Sequence, residues 1–554
     1  MSATIVPAVT TDGRPVQILR EDSTQSKGSA ARRNNIQAGL MIAAIVRSSL
    51  GPRGMDKMLV SRESVITITN DGATMLKEMN VQHPAAKMLI EVSKATDTTV
   101  GDGTTSAVVL AGALLEKADE LLKMGLHPVV IVSGFSRAAK KAAEAMEEAA
   151  FTVPRHDRAA LVEVARTSMQ TKVVAGHAAA LAEMVADAVL HVAQEKDGKY
   201  LVDMKSIKVE KKQGGAISDT TFIRGIVLDQ KIVHPNMPRR IEKARIAILN
   251  VAFKIESTKF NSMITIRDAT KLTKFLDEEV KMLRDMVEKV KASGATMVIC
   301  QKEIDDVAQN LLARAGILAV QKAYEYEMPK ISKATGARIV DNFVDLREED
   351  LGYADVVEEK KLDNDRLLFI EGCKDPKAVT ILIRGGNKRV IEEGERSIHD
   401  ALMVAKDVLM EPSLVAGGGA AEAEASYQVE KWSRGLSGRE QMAAEKFAEA
   451  LEQIPIALAE NAGMDRIDTA AELRAKHADG GKYYGITSGG KIRDMQKEQV
   501  VEPLAVKRQV IFAATEAASM ILRVDNIVMM RPTDPHAAKA GMERTPEMNA
   551  PPPI

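Results

Sequence analysis

Only two cysteines occur in 554 residues, and Cys300 and Cys373 stand far apart with no CxxC pair. That excludes a disulfide framework and a cysteine-type structural zinc site, and it suits a reducing compartment. Aromatics are scarce, at 3% with the single Trp432, so stacking on nucleic-acid bases is not the main business of the chain. No apolar run reaches the roughly 18–20 residues a spanning helix needs. Residues 1–17 lack the basic-then-apolar pattern of a secretory signal, so a cytoplasmic location is expected. A formal net charge of -1 offers no overall positive field to nucleic acid or an anionic membrane. There is no Walker A pattern, no kinase loop set, no complete dinucleotide fingerprint and no paired Cys/His metal spacing.

What remains is a globular composition, 45% apolar and 28% charged, in a chain too long for one simple core. The 28 methionines read as flexible core filler. Apolar residues recur at helical spacing through Ile36, Leu40, Ala43 and Val46, and again through Leu110, Leu114, Ala118 and Leu122. Alanine-rich helices are expected over roughly 129–151 and 158–195. Strand-like segments follow at 207–209, 222–227 and 246–251. A long amphipathic helix carries Leu272, Leu283, Val287 and Val290, stops at Ser293-Gly294, and leads to a buried strand at 296–300. A strand at 378–383 precedes mainly helical stretches over 387–432 and 439–475. The order helix-rich, α/β, helix-rich suggests a middle region inserted between two terminal portions that form one domain.

The densest chemical signal is Gly101-Asp102-Gly103-Thr104-Thr105-Ser106. Its glycines admit close backbone approach, and it opens directly into a helix whose free N–H groups can cradle phosphate. The hydroxyls add donors, and Asp102 can hold Mg²⁺, which favours carboxylate and phosphate oxygens. Alone, the hexapeptide reads equally well as a glycine-rich turn capping a helix. Gly51-Pro52-Arg53-Gly54 reads as a loop terminator or a ligand contact. Asn70-Asp71-Gly72 is a common turn that also puts a carboxylate at a strand-to-helix junction. Gly417-Gly418-Gly419 precedes a helix, and Asp400 by default is a solvated helix carboxylate.

Taken in order, Leu50-Gly51-Pro52-Arg53-Gly54-Met55-Asp56-Lys57, Thr69-Asn70-Asp71-Gly72-Ala73-Thr74, Gln82-His83-Pro84-Ala85-Ala86-Lys87, Gly101-Asp102-Gly103-Thr104-Thr105, Gly417-Gly418-Gly419-Ala420 and Val501-Glu502-Pro503-Leu504 resemble the group II, thermosome-type chaperonins. The resemblance covers about residues 16–530. It implies a multidomain α+β and α/β fold. A mostly helical equatorial ATPase domain would comprise 1–150 and 405–530. A small α/β intermediate hinge domain would comprise 151–215 and 371–404. An α/β apical substrate-binding domain would span 216–370, with a helical lid protrusion near 254–280, and 531–554 would be a disordered tail.

The resemblance also implies an ATP-dependent chaperone acting on unfolded or partly folded proteins. Identical or paralogous subunits would form stacked eight- or nine-membered rings, with ATP and Mg²⁺ as cofactors. Asp102 matches the magnesium ligand, and Asp71 and Asp400 match the carboxylates that activate the attacking water. Gly51, Gly103, Thr104, Thr105, Ser106 and Gly418 match nucleotide contacts. Asp494 resembles a ribose-side contact, and Ser168 and Lys172 resemble a nucleotide-sensing loop. Two features depart from the family pattern. Val60-Ser61-Arg62-Glu63-Ser64 lacks the aspartate-rich, glycine-containing hairpin form, and the tail lacks Gly-Gly-Met repeats. The competing classes are a small-molecule ATP-dependent transferase, which would need a second set of convergent polar residues, and a ring-forming scaffold, which has no use for water activation.

Overall fold

The computed structural model describes residues 8–9, 15–16, 24–60, 64, 66–79, 81–255, 269–363, 365–374 and 377–529. Of the protrusion expected near 254–280, residues 256–268 lie outside these residues, as does the 531–554 tail, while 269–280 belong to the helix Ala269–Ala292. The chain is a mixed helix and sheet structure.

The helix Thr104–Lys123 lies at the centre of the largest core, and every residue from Ala107 to Leu115 is buried. A helix apolar on all sides must be packed on all sides. Here its neighbours come from both ends of the chain: Gly28–Arg47, Pro84–Val100 and Pro128–Ala149 from the first part, Arg439–Leu451 and Leu504–Arg523 from the last. Glycine sets how closely the first crossing can approach. A Cβ on Gly112 would lie 2.2 Å from the Ala43 Cβ, and one on Gly39 would lie 2.5 Å from Leu115 Cδ1. Phe135 and Phe447 meet edge to face, with ring centroids 5.7 Å apart. The two chain ends also pair directly, as strand Asn526–Met529 runs antiparallel to Thr24–Lys27.

The middle of the chain carries two larger sheets. In the first, Val379–Gly385 lies between a parallel partner, Ile207–Gln213, and an antiparallel one, Thr221–Ile223. The second has seven strands, with Arg240–Leu249, Met297–Cys300 and Leu318–Val320 running parallel. Side chains alternate across it. Ile246, Ile248, Met297 and Ile299 enter one apolar core, while Ala247, Leu249, Val298 and Cys300 enter the other.

Several expected elements are subdivided. The helix expected over 158–195 is two, Arg158–Gln170 and Ala178–Val192, separated by a turn and the short 3-10 helix Ala175–His177. Alanine-rich periodicity continues across that break, so spacing alone hides it. The stretch 387–432 holds the strand Ser413–Ala416 between helices Lys388–Met410 and Ala420–Ser433. The stretch 439–475 divides into Arg439–Leu451, Gln453–Asn461 and Arg466–Ala478. The strand expected over 222–227 is interrupted at Arg224, where the chain passes from one sheet to the other.

Phe447→Ala is expected to lower stability by about 3–5 kcal/mol, because it empties a fully buried site against Phe135. Chemical denaturation followed by circular dichroism reads the loss, and an unchanged midpoint would remove this contact from the core.

Candidate functional site

The loop 101–106 is shaped by two left-handed glycines. Gly101, at φ +72°, closes Pro84–Val100 by donating its N–H to Thr96 and Asp97 carbonyls. Gly103, at φ +78°, is the N-cap of Thr104–Lys123. Neither position has room for a side chain. A Cβ on Gly101 would lie 2.3 Å from Met403, and one on Gly103 would lie 2.8 Å from Val510. The loop is therefore pressed against two helices, and the N-terminus of the central helix opens into a cavity of 290 Å³.

The acids around this loop are held by short local bonds. Asp102 accepts from the Gly103 N–H at 2.7 Å and from Ser168 Oγ at 2.6 Å. Asp71 caps the helix Gly72–Glu78 by accepting the Thr74 N–H at 2.7 Å, and its other oxygen accepts Thr104 Oγ1 at 3.1 Å. Asn70 donates to the Thr171 carbonyl, tying this corner to the break after Arg158–Gln170. That break delivers Lys172, whose Nζ donates to Asp400 of Lys388–Met410, with both side chains buried. Burial alone would lower the Lys172 pKa, but Asp400, Asp102 and Asp71 raise it above the usual lysine value. Burial, together with the charges of Asp71 and Asp102, pushes the Asp400 carboxyl well above the usual carboxylate range, against the pull of Lys172. Asp97 is likewise raised, first by burial and then by Asp71.

The returning half of the chain forms the opposite wall. Gly418 and Gly419 take positive φ, and Gly419 caps Ala420–Ser433. The Gly418 carbonyl accepts the Ile486 N–H at 2.9 Å, which pins the hairpin Tyr484–Ile486/Ile492–Asp494 beside the cavity. Ile454, Leu458 and Ile486 give this side apolar lining.

Ten of the twelve residues singled out from sequence line the cavity: Gly51, Asp71, Asp102, Gly103, Thr104, Thr105, Ser106, Ser168, Lys172 and Gly418. Asp400 sits behind Lys172. Asp494 is not a lining residue, because its carboxylate turns into its own chain and accepts the Gln496 and Lys497 N–H groups at 3.1 and 3.3 Å. Sequence reasoning missed Glu502 and Lys507, which do line the cavity, and Glu422, which pairs with Lys507. One signal was available: a lysine in the first turn of an apolar-periodic helix opposes the helix dipole and calls for a partner.

Chemically, the free N–H groups of Thr104, Thr105 and Ser106 at the helix N-terminus suit an anion, while the aspartates suit a cation. Among the described residues no group of three His, Cys, Asp or Glu side chains could hold a metal by itself. Asp102 lines the cavity with a carboxylate, a ligand type that Mg²⁺ commonly takes together with phosphate and water oxygens.

Residues 42–532 match the model of the TCP-1/cpn60 chaperonin family. The chain belongs to that family of chaperonins. Within it, the chain is 50% identical over 521 residues to a thermosome subunit of Methanopyrus kandleri, covering 94% of this chain and 96% of that one. It is 49% identical over 517 residues to a thermosome subunit of Pyrococcus abyssi, covering 93% and 94%. It is 47% identical over 540 residues to the thermosome subunit beta of Archaeoglobus fulgidus, covering 97% and 99%.

Lys172→Met is expected to destabilise the nucleotide-free chain by about 3–5 kcal/mol, since it strips a buried acid cluster of its cation. Adding Asp400→Asn should recover much of that loss. Denaturant titration of the single and double variants measures both, and equal stability of Lys172→Met and parent would break the argument.

Proposed function

We propose that this chain is a subunit of an ATP-driven chaperonin, which binds Mg-ATP in the cavity at 101–106 and hydrolyses it to power the enclosure of unfolded proteins. The observation that carries this reading is the convergence on one cavity of a helix N-terminus, Asp102, Asp71 and the Lys172–Asp400 pair, all from separate stretches of chain. Family membership and the thermosome relatives support the chaperonin half of the reading.

The N–H groups of Thr104, Thr105 and Ser106, at the start of the central helix, bind phosphate oxygens, aided by the helix dipole. Asp102 would hold Mg²⁺, which when bound neutralises charge on the phosphates. Asp71 and Asp400 orient a water and accept its proton. Ser168 and Lys172 link that chemistry to the helix break and so act as the sensing loop. Gly51 and Gly418 allow the backbone to approach the nucleotide from opposite walls. Asp494 acts at most by supporting the hairpin wall.

On this reading, 1–150 with 405–530 form the equatorial ATPase domain, and 151–215 with 371–404 the intermediate hinge. Residues 216–370 form the apical client-binding domain, with its lid near 254–280. Asp400 then belongs to the hinge, so closing it couples enclosure to turnover. Partners are identical or paralogous subunits in stacked eight- or nine-membered rings, and clients are unfolded chains whose apolar groups meet exposed apolar surface.

Asp400→Ala is expected to bind ATP but to hydrolyse it at least about a hundredfold more slowly. A binding titration paired with phosphate release decides the matter, and turnover at the parental rate would defeat the assignment of Asp400.

A further inference from the structure

The loop joining Gly225–Leu228 to Arg240–Leu249 encloses a cavity of 220 Å³ against the seven-stranded sheet, and it shares no residue with the cavity at 101–106. The sheet holds this loop at several points. The Val233 N–H donates to the Ala319 carbonyl at 3.1 Å, the Ala319 N–H donates to Met237 Sδ at 3.3 Å, and the Glu359 N–H donates to the Arg239 carbonyl at 2.8 Å. The cavity is thus formed by the fold itself, as small binding sites commonly are.

Its base is the Glu359 carboxylate, whose side chain is 4% exposed. Oε2 accepts from Arg239 Nη1 at 2.5 Å and from Arg366 Nη1 at 3.0 Å, and Oε1 accepts the Ile232 N–H at 3.4 Å. A buried carboxylate needs a cation. One guanidinium would meet that need, and here there are two. Each carries five N–H donors in a planar fork and gives one to Glu359. Both arginine side chains are about half exposed, so their other donors stand open. Lys231 lines the same cavity and makes no ion pair among the described residues. His234 accepts the Asn236 N–H on Nδ1 at 3.2 Å, which leaves Nε2 as a further donor.

Among the described lining residues Glu359 is the one acid. Arg239, Arg366 and Lys231 therefore outnumber it, in a chain whose formal net charge is -1. The positive excess is local, and a buried group aims it. Guanidinium forks take a carboxylate in paired N–H bonds, and an ammonium adds charge. Ile232, Pro235 and Met237 give the cavity apolar walls, which suit the methylenes of an aspartate or glutamate side chain better than a fully hydrated ion.

We propose that this cavity docks acidic side chains of a bound polypeptide: Arg239, Arg366 and Lys231 receive the carboxylate, and Glu359 aims the two arginines. The proposal rests on the chaperonin reading for the identity of that polypeptide. It gives the region 216–370 a polar means of holding clients beside the apolar one.

The test is fluorescence anisotropy of a labelled octaglutamate peptide with the full-length chain at low salt, with labelled octaglutamine as the neutral control. Lys231→Glu reverses a charge that has no partner to strand. The triple variant Arg239→Met, Glu359→Met, Arg366→Met removes the buried carboxylate together with both its cations, so no charge is left buried alone. The parent is expected to bind octaglutamate and not octaglutamine, and each variant to weaken that binding at least about tenfold. Equal binding of the two peptides by the parent, or parental affinity in Lys231→Glu, overturns the proposal. Displacement by inorganic phosphate as readily as by unlabelled octaglutamate assigns the cavity to small anions and overturns it too. Should the triple variant fail to fold by circular dichroism, Lys231→Glu decides alone. Phosphate release from ATP is measured on the same preparations. A parent that turns over ATP but ignores octaglutamate loses this proposal and keeps the ATPase reading. A parent that binds octaglutamate through Lys231 but turns over no ATP keeps the site and loses that reading.

Discussion

A single buried ammonium, that of Lys172, stands among three aspartates that reach it from three separate stretches of chain. Asp71 comes from a helix cap, Asp102 from a loop between two helices, and Asp400 from the helix Lys388–Met410. Like charges this close raise one another's cost of ionisation, and burial multiplies the cost. The arrangement persists because each acid is tied down separately: Asp71 by Thr74 and Thr104, Asp102 by Gly103 and Ser168, Asp400 by Lys172. Any movement of Lys388–Met410 relative to Thr104–Lys123 changes the balance among them. The same tension makes the cluster a natural place for a divalent cation and a polyphosphate to arrive together.

That tension needs a stiff frame, and the frame is built from close helix crossings. Gly112 and Gly39 let two helices approach until an added methyl would collide, and Gly101 and Gly103 let the phosphate-type loop lie against Met403 and Val510. Close packing of this kind transmits displacement instead of absorbing it. The far wall also carries buried polar contacts: Glu422 pairs with Lys507, and Glu424 of the same helix is hydrogen-bonded to His477 behind the hairpin.

Legibility in the sequence followed locality. The 101–106 loop could be read because its glycines, acid and hydroxyls are adjacent and open into a helix, and Asp71 because it ends a strand and starts a helix. The apolar runs at 246–251 and 296–300 read as strands, and the structure buries both of their faces. The break at 171–177 was hidden, since what ends the helix there is tertiary: the Thr171 carbonyl is captured by Asn70, 101 residues away. Asp400 looked like any surface helix acid, and only the resemblance raised it. Asp494 and Glu502 were the harder pair. They are eight residues apart, both acidic, and which of them faces the cavity depends on a turn that folds the Asp494 carboxylate onto its own N–H groups.

The largest apolar core draws on residues from Ile36 through Leu522, and its central helix is wrapped by segments separated by several hundred positions. A ribosome exposes those segments one after another. The early helices therefore emerge with their greasy sides unmatched and stay so until nearly the whole polypeptide has left the exit tunnel. Synthesis of this protein passes through a long interval in which it is itself the kind of sticky, unfinished chain that its family exists to shelter.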